Sequence, residues 1–173
     1  MRKRIRDTAV FGFLGALMFA TKLVMEAFPN VHLLGVFIVS FTLVYRARAL
    51  YPIYIFVALQ GLFSGFATWW VPYLYIWLPL WGAVMLLPRN MPKAVAPVVY
   101  MTVSALHGLL YGVLYAPAQA FLFNLSFEKA LVWIAAGFWF DIVHAIGNFC
   151  LGVTIYPISR FLLRLKKKYI DSI

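Results

Sequence analysis

Charge is scarce in this chain. Only 12% of its 173 residues are Asp, Glu, Lys or Arg, about half the share of an ordinary soluble domain. Acids are scarcest: Asp7, Glu26, Glu128, Asp141 and Asp171 are all there are. The single cysteine, Cys150, excludes an intrachain disulfide and a multi-cysteine metal site. No soluble linker or low-complexity segment interrupts the apolar runs, so no room is left for a water-soluble catalytic domain. A phosphate-binding loop of the Walker type is absent, which excludes ATP hydrolysis by that route. No His-Glu-x-x-His pair exists, and no serine or cysteine sits in the turn context of a hydrolase nucleophile.

What is present is apolar. Hydrophobic residues make up 65% of the chain and aromatic residues 18%. A soluble globule of this size could not hide so much apolar surface, and disorder is excluded by the same aromatics. The class is an all-α integral membrane protein, a single domain over 1–173. A spanning helix needs about 20 residues, and the apolar runs predict six. They cover about Ala9–Phe28, Val31–Tyr45, Leu50–Trp69, Tyr73–Leu87, Val95–Tyr115 and Ala130–Leu163. A secretory leader also opens with a basic head, but the first run contains Lys22 and Glu26 and further spans follow, so it reads as a span. The sixth run is too long for one crossing and is expected to break near Pro157 or to project from the membrane. Residues 116–129 read as the longest connection.

Net charge is +10. In a soluble chain that would suggest nucleic acid; here the placement of the charges argues for membrane orientation instead. With six spans, 13 of the 15 basic residues fall on the side of the two termini. The positive-inside rule then puts both termini in the cytoplasm.

Polar residues inside apolar runs are costly and mark candidate sites. Lys22 and Glu26 are four apart, on one helix face, with Asn30 and His32 in the connection that follows. In the last span Trp133, Gly137, Asp141, His144 and Asn148 form one stripe at helical spacing. Ser104, His107, Tyr111 and Tyr115 form another in span five, and Gln60, Ser64 and Thr68 a third in span three. Asp141 has to pair, protonate or meet water; a structural bond to His144 or to another helix explains it as well as ligand contact does. Aromatic residues concentrate in the connections opposite the termini, among them Trp69, Tyr73, Trp77 and Tyr115. They read as an interface belt or as walls for a planar ligand. Gly12, Ala16 and Ala20 form a small-residue ridge, for packing inside the bundle or for docking another membrane subunit.

This layout resembles the substrate-binding S component of energy-coupling factor (ECF) vitamin transporters. Ala16-Leu17-Met18-Phe19-Ala20 matches that family's Ala-x-x-x-Ala pattern in span one, and Gly12 extends it. Stretches 17–26, 29–35 and 70–77 are similar to segments of S-component-like membrane proteins. The resemblance implies a subunit of a bacterial plasma membrane that is not itself an enzyme and carries no cofactor. It would capture a vitamin or vitamin precursor from outside, beneath the connections between spans one and two, three and four, and five and six. A transmembrane coupling subunit docked on Gly12, Ala16 and Ala20, with two ATPase subunits, would drive release inward. The expected ligand shell is Lys22, Glu26, Asn30, His32, Trp69, Tyr73, Trp77, Tyr115, Asn124, Asp141, His144 and Asn148. Aromatic connections favour a planar ligand such as cobalamin, a pterin, a flavin or a pyrimidine precursor, with cobalamin slightly ahead. No nucleic-acid partner and no metal are expected. Two other readings stay open: a self-contained proton-coupled transporter, and a membrane enzyme using Asp141, His144 and His107 in acid–base work.

Overall fold

The computed structural model describes residues 2–169; Met1, residues 170–173 and the side chains of residues 2–4, hence of the basic Arg2-Lys3-Arg4 head, lie outside it. Every regular element among the described residues is helical. They are α1 (Arg2–Val24), α2 (Leu34–Tyr45), α3 (Leu50–Ser64), α4 (Leu78–Leu86), α5 (Ala96–Leu109), α6 (Tyr111–Phe123), α7 (Phe127–Gly152) and α8 (Ile155–Tyr169). Short 3-10 segments occupy Arg46–Ala49 and Thr68–Leu74. Five stretches are long and apolar enough to cross a membrane: Ile5–Val24, Leu34–Ser64, Thr68–Leu86, Ala96–Phe123 and Phe127–Gly152. The second of these is interrupted at Arg46, whose φ of 55° ends α2.

Helix α2 is the hub. It is apolar on all sides, and a helix of that composition belongs in a core; Leu34, Val36, Ile38, Val39 and Phe41 are all buried. Its two aliphatic hydroxyls find carbonyl partners: Thr42 donates to Ile38 O (2.6 Å) and Ser40 to Ile155 O on α8 (3.5 Å). Small residues bring the other helices close. Gly15 of α1 lies against Pro52 and Ile55 of α3, and Gly108 of α5 against the backbone of His144 and Ala145 on α7. Gly12, Ala16 and Ala20 take no part in this packing. A side chain on Gly12 would meet nothing within 4 Å, and both alanines are exposed.

The two ends of the bundle differ. One gathers basic side chains: Arg48 pairs with Asp7 (2.5 Å), Arg46 donates to Met85 O (2.6 Å) and Lys166 to Val44 O (3.4 Å). The other carries Trp69, Tyr73, Tyr115 and Trp133. We refer to them as the basic end and the aromatic end.

Several boundaries depart from the sequence reading, each for a local reason. Helix α1 stops at Val24 rather than Phe28. Thr21 turns its hydroxyl back onto Leu17 O and Met18 O, Pro29 disfavours helix at the residue before it, and Asn30 has φ 58°. Helix α3 ends at Ser64 rather than Trp69 because Gly65 adopts φ 86°, the usual glycine stop. Residues 116–129 are not a connection: α6 runs through Pro117 to Phe123 and only 124–126 link it to α7. The long last run does break, but at Val153 and Thr154, upstream of Pro157. Pro157 is the third residue of α8, where its missing N–H has no helical acceptor to lose.

The glycines of α1 separate two kinds of surface. Gly15→Ala is expected to lower unfolding stability by about 1–3 kcal/mol, since its Cβ would press into Ile55. Gly12→Ala should be neutral or stabilising, by up to about 1 kcal/mol, through helix propensity alone. Denaturation of the two variants in detergent checks the pair.

Candidate functional site

Two adjoining cavities open at the aromatic end. The larger, about 460 Å³, lies between α6, α7 and the 3-10 segment, with Trp69, Tyr115, Trp133, Phe140 and Asp141 in its wall. The smaller, about 200 Å³, lies beneath the connection between α1 and α2; Lys22, Glu26, His32, Tyr73 and His144 line it. Asn30 and Tyr111 belong to both. A roomier groove of about 660 Å³ runs between α1, α2 and α8, but its wall is almost wholly aliphatic and phenyl, with no carboxylate, histidine or amide. Convergent polar groups identify a binding site better than volume does, so the paired cavities are the candidate.

Asp141 is the centre of the larger cavity. It is 5% exposed, and both its oxygens accept from the backbone N–H of Gly112 (3.1 and 3.2 Å). Gly112 is the second residue of α6, so its N–H has no helical acceptor. The chain breaks between α5 and α6 at Leu110, and the carboxylate of α7 caps the new helix from across the interface. Negative charge is favoured at that place by the helix dipole as well. A side chain on Gly112 would collide with the carboxylate. Of the alternatives for Asp141, a bond to another helix is thus realised, and none to His144.

The roof of the cavity is fastened by tyrosines. Tyr115 donates to Trp69 O (3.0 Å) and its ring stacks on Trp133 at 5.8 Å and 22°. Tyr75 places its hydroxyl inside α6: it donates to Leu114 O (2.9 Å) and accepts from Ala118 N (3.3 Å). Those two groups would otherwise bond to each other across one helical turn. The opened turn lies beside Pro117, which has no N–H to offer, and it sets where Gln119 and Phe123 stand in the wall.

In the smaller cavity Lys22 and Glu26 form a loose pair at 3.6 Å, as their spacing suggested. Such a pair contributes little where one partner is exposed, and Glu26 is. His32 sits edge-on to His144 (4.9 Å), and His144 to Tyr111 (4.9 Å). The Nδ1 atoms of both histidines are buried without a hydrogen-bond partner. Burial, and then the Lys22 ammonium, pushes the His32 imidazole down to about 4.

Nine of the twelve expected shell residues line the two cavities, and three do not. Lys22, Glu26, Asn30, His32, Trp69, Tyr73, Tyr115, Asp141 and His144 line one cavity or the other. Trp77 does not; it is 2% exposed and packs beneath, against Phe56, Tyr73, His107 and Tyr111. Asn148 is deeper still, donating to Ser104 O (3.1 Å) between α7 and α5. Asn124 is exposed outside both cavities, where its left-handed backbone (φ 49°) ends α6. In α3, Gln60 donates to Ser64 (3.2 Å), and of that stripe Thr68 alone reaches the site. His107 bonds Ile76 O (2.8 Å) and lines neither cavity. No group of three His, Cys, Asp or Glu able to hold a metal occurs among the described residues. The residues overlooked are Gly112, Gln119 and Phe140. Gln119 continues the Tyr111–Tyr115 spacing and was legible; Gly112 had no sequence signal.

The depressed His32 imidazole gives a pH dependence. The unfolded chain takes up a proton near the ordinary 6.5 and the folded chain only near 4, so stability is full above pH 6.5 and falls on acidification toward 4. Melting temperature against pH should therefore slope less in His32→Gln than in the unchanged protein across that window.

Searches against protein-family models, curated proteins and solved structures return no match to this chain, and its function is read from the site alone.

Proposed function

We propose that this protein is the substrate-binding subunit of an ECF-type vitamin importer, a capture protein without chemistry of its own. The observation that carries the reading is the paired polar and aromatic cavity at the end of the bundle opposite the basic residues. With α1, α2, α3, the 68–86 segment, α5–α6 and α7–α8 as six passes, both termini lie on the basic, cytoplasmic face. The cavities then open outward. Their roof comes from the three stretches that join successive passes there, which suits a ligand taken from outside and enclosed by small movements of those connections.

The outward-facing ridge supports the second half of the reading. Gly12, Ala16 and Ala20 serve no internal contact, and small residues allow a partner helix to come within backbone distance. The partner is a transmembrane coupling subunit with two ATPases, which supply the energy this chain has no means to supply. Cavity volume favours the smaller ligands. At about 460 Å³ the main cavity is at the low end for drug-sized molecules, suited to one or two fused rings rather than a corrinoid such as cobalamin.

The test is thermal stabilisation of the purified, detergent-solubilised protein by a panel of vitamins and precursors. A true ligand at a hundredfold excess over its dissociation constant adds about 2.7 kcal/mol of apparent stability. A folded protein that no member of the panel stabilises would count against capture and turn attention to proton-coupled flux through Asp141 and His144. Docking has its own test. Ala16→Leu or Ala20→Leu should abolish uptake in cells carrying the coupling module while leaving ligand affinity within about twofold, since neither residue approaches the cavities. Equal loss of binding and uptake would refute a docking role.

A further inference from the structure

The geometry points to a definite ligand chemistry for the larger cavity: a planar nitrogen heterocycle whose amino group and adjacent ring N–H present two parallel donors to Asp141, as a pterin or an aminopyrimidinone does. This rests on the capture reading above.

The first ground is the unfinished state of Asp141. A carboxylate has about four acceptor positions. Among the described residues only one N–H, that of Gly112, donates to it, shared between the two oxygens. The side chain is almost wholly buried, and the rest of its accepting capacity faces the cavity it lines. Buried polar groups in folded proteins are rarely left so poorly served. No Lys, Arg or His lines that cavity; Lys22 belongs to the adjoining cavity and is paired with Glu26. The missing donors therefore have to come from whatever fills the space.

The second ground is shape. Two parallel N–H groups on a planar frame match two carboxylate oxygens, the geometry that makes guanidinium–carboxylate pairs strong. The walls around Asp141 are flat: Trp69, Phe140, and the Tyr115–Trp133 stack. A flat ring gains there by stacking and apolar burial, whereas a flexible alkylammonium would satisfy the carboxylate and leave the walls unused. Gln119, two turns along α6 from Gly112, offers an amide that donates and accepts, for a polar substituent elsewhere on the ring. A carboxylate or phosphate at the Asp141 end of the ligand is excluded by like charge.

The experiment measures dissociation constants on the intact detergent-solubilised protein for pterin and isocytosine, which carry an amino group beside a ring N–H, and for nicotinate, biotin and pantothenate, which carry a carboxylate. At least one of the first group is expected to bind at micromolar concentration or below, and none of the second. Lumazine, in which an oxo group replaces the amino group of pterin, should bind about tenfold to a hundredfold more weakly than pterin. Asp141→Asn keeps an oxygen for the Gly112 N–H but loses the paired acceptor, and should weaken the amino-edged ligand by a similar factor. If that variant does not fold, the pterin–lumazine comparison on the unchanged protein decides. Tight binding of a carboxylate vitamin, or of lumazine as well as pterin, would overturn this assignment and leave the capture reading intact. A folded protein that binds no member of either group would overturn both.

Discussion

A helix that breaks inside an apolar bundle strands N–H and C=O groups where no water can reach them, and each stranded group costs several kcal/mol. That constraint orders the whole structure. Three of the interruptions are met by a side chain from a neighbouring element: Asp141 for the first turn of α6, Tyr75 for the opened turn at Leu114 and Ala118, and Arg46 for Met85 O at the end of α4. Trp81 in turn serves Arg46 O (3.3 Å). Polar residues in the apolar runs are present first because the backbone needs them. A site arises where several such residues gather and one of them has capacity to spare.

Spare capacity also separates residues that look alike in the sequence. His107 is committed to Ile76 O, whereas His32 and His144 keep a buried nitrogen without a partner. Asn148 holds Ser104 O and closes the seam between α7 and α5; about two helical turns nearer the aromatic end, Asp141 accepts a single backbone N–H and faces open volume. The stripe on α7 thus changes from structural at Asn148 to cavity-lining at Asp141 and Trp133, along a single helix face.

Much of this was legible in the sequence, in proportion to how local the governing physics is. Hydropathy located the apolar helices, and helical spacing placed Trp133, Gly137, Asp141 and His144 on one face and Lys22 beside Glu26. The failures came where a local signal was outweighed by a distant partner. Residues 116–129 read as a connection, yet α6 continues through Pro117, and beside it Tyr75, 42 residues before that proline in the chain, bridges the opened Leu114–Ala118 position. Trp77 has the composition of an interface aromatic and is instead covered by α3 and α5. Gly112 is silent in the sequence because its role is to have no side chain where a carboxylate from another helix arrives.

The tight link between α6 and α7 bears on how the chain enters a bilayer. Only residues 124–126 join the two helices, with Asn124 closing one and the Ser126 hydroxyl accepting from Lys129 N to open the other. Asp141 and its partner Gly112 are therefore neighbours within one helical hairpin. A lone carboxylate near the middle of an inserting helix costs about 2.5–3.5 kcal/mol on translocation scales. Because the N–H that receives it is synthesised just before and travels in the same hairpin, the two helices can leave the translocon as a pair with the charge already capped, before any of the earlier helices has docked.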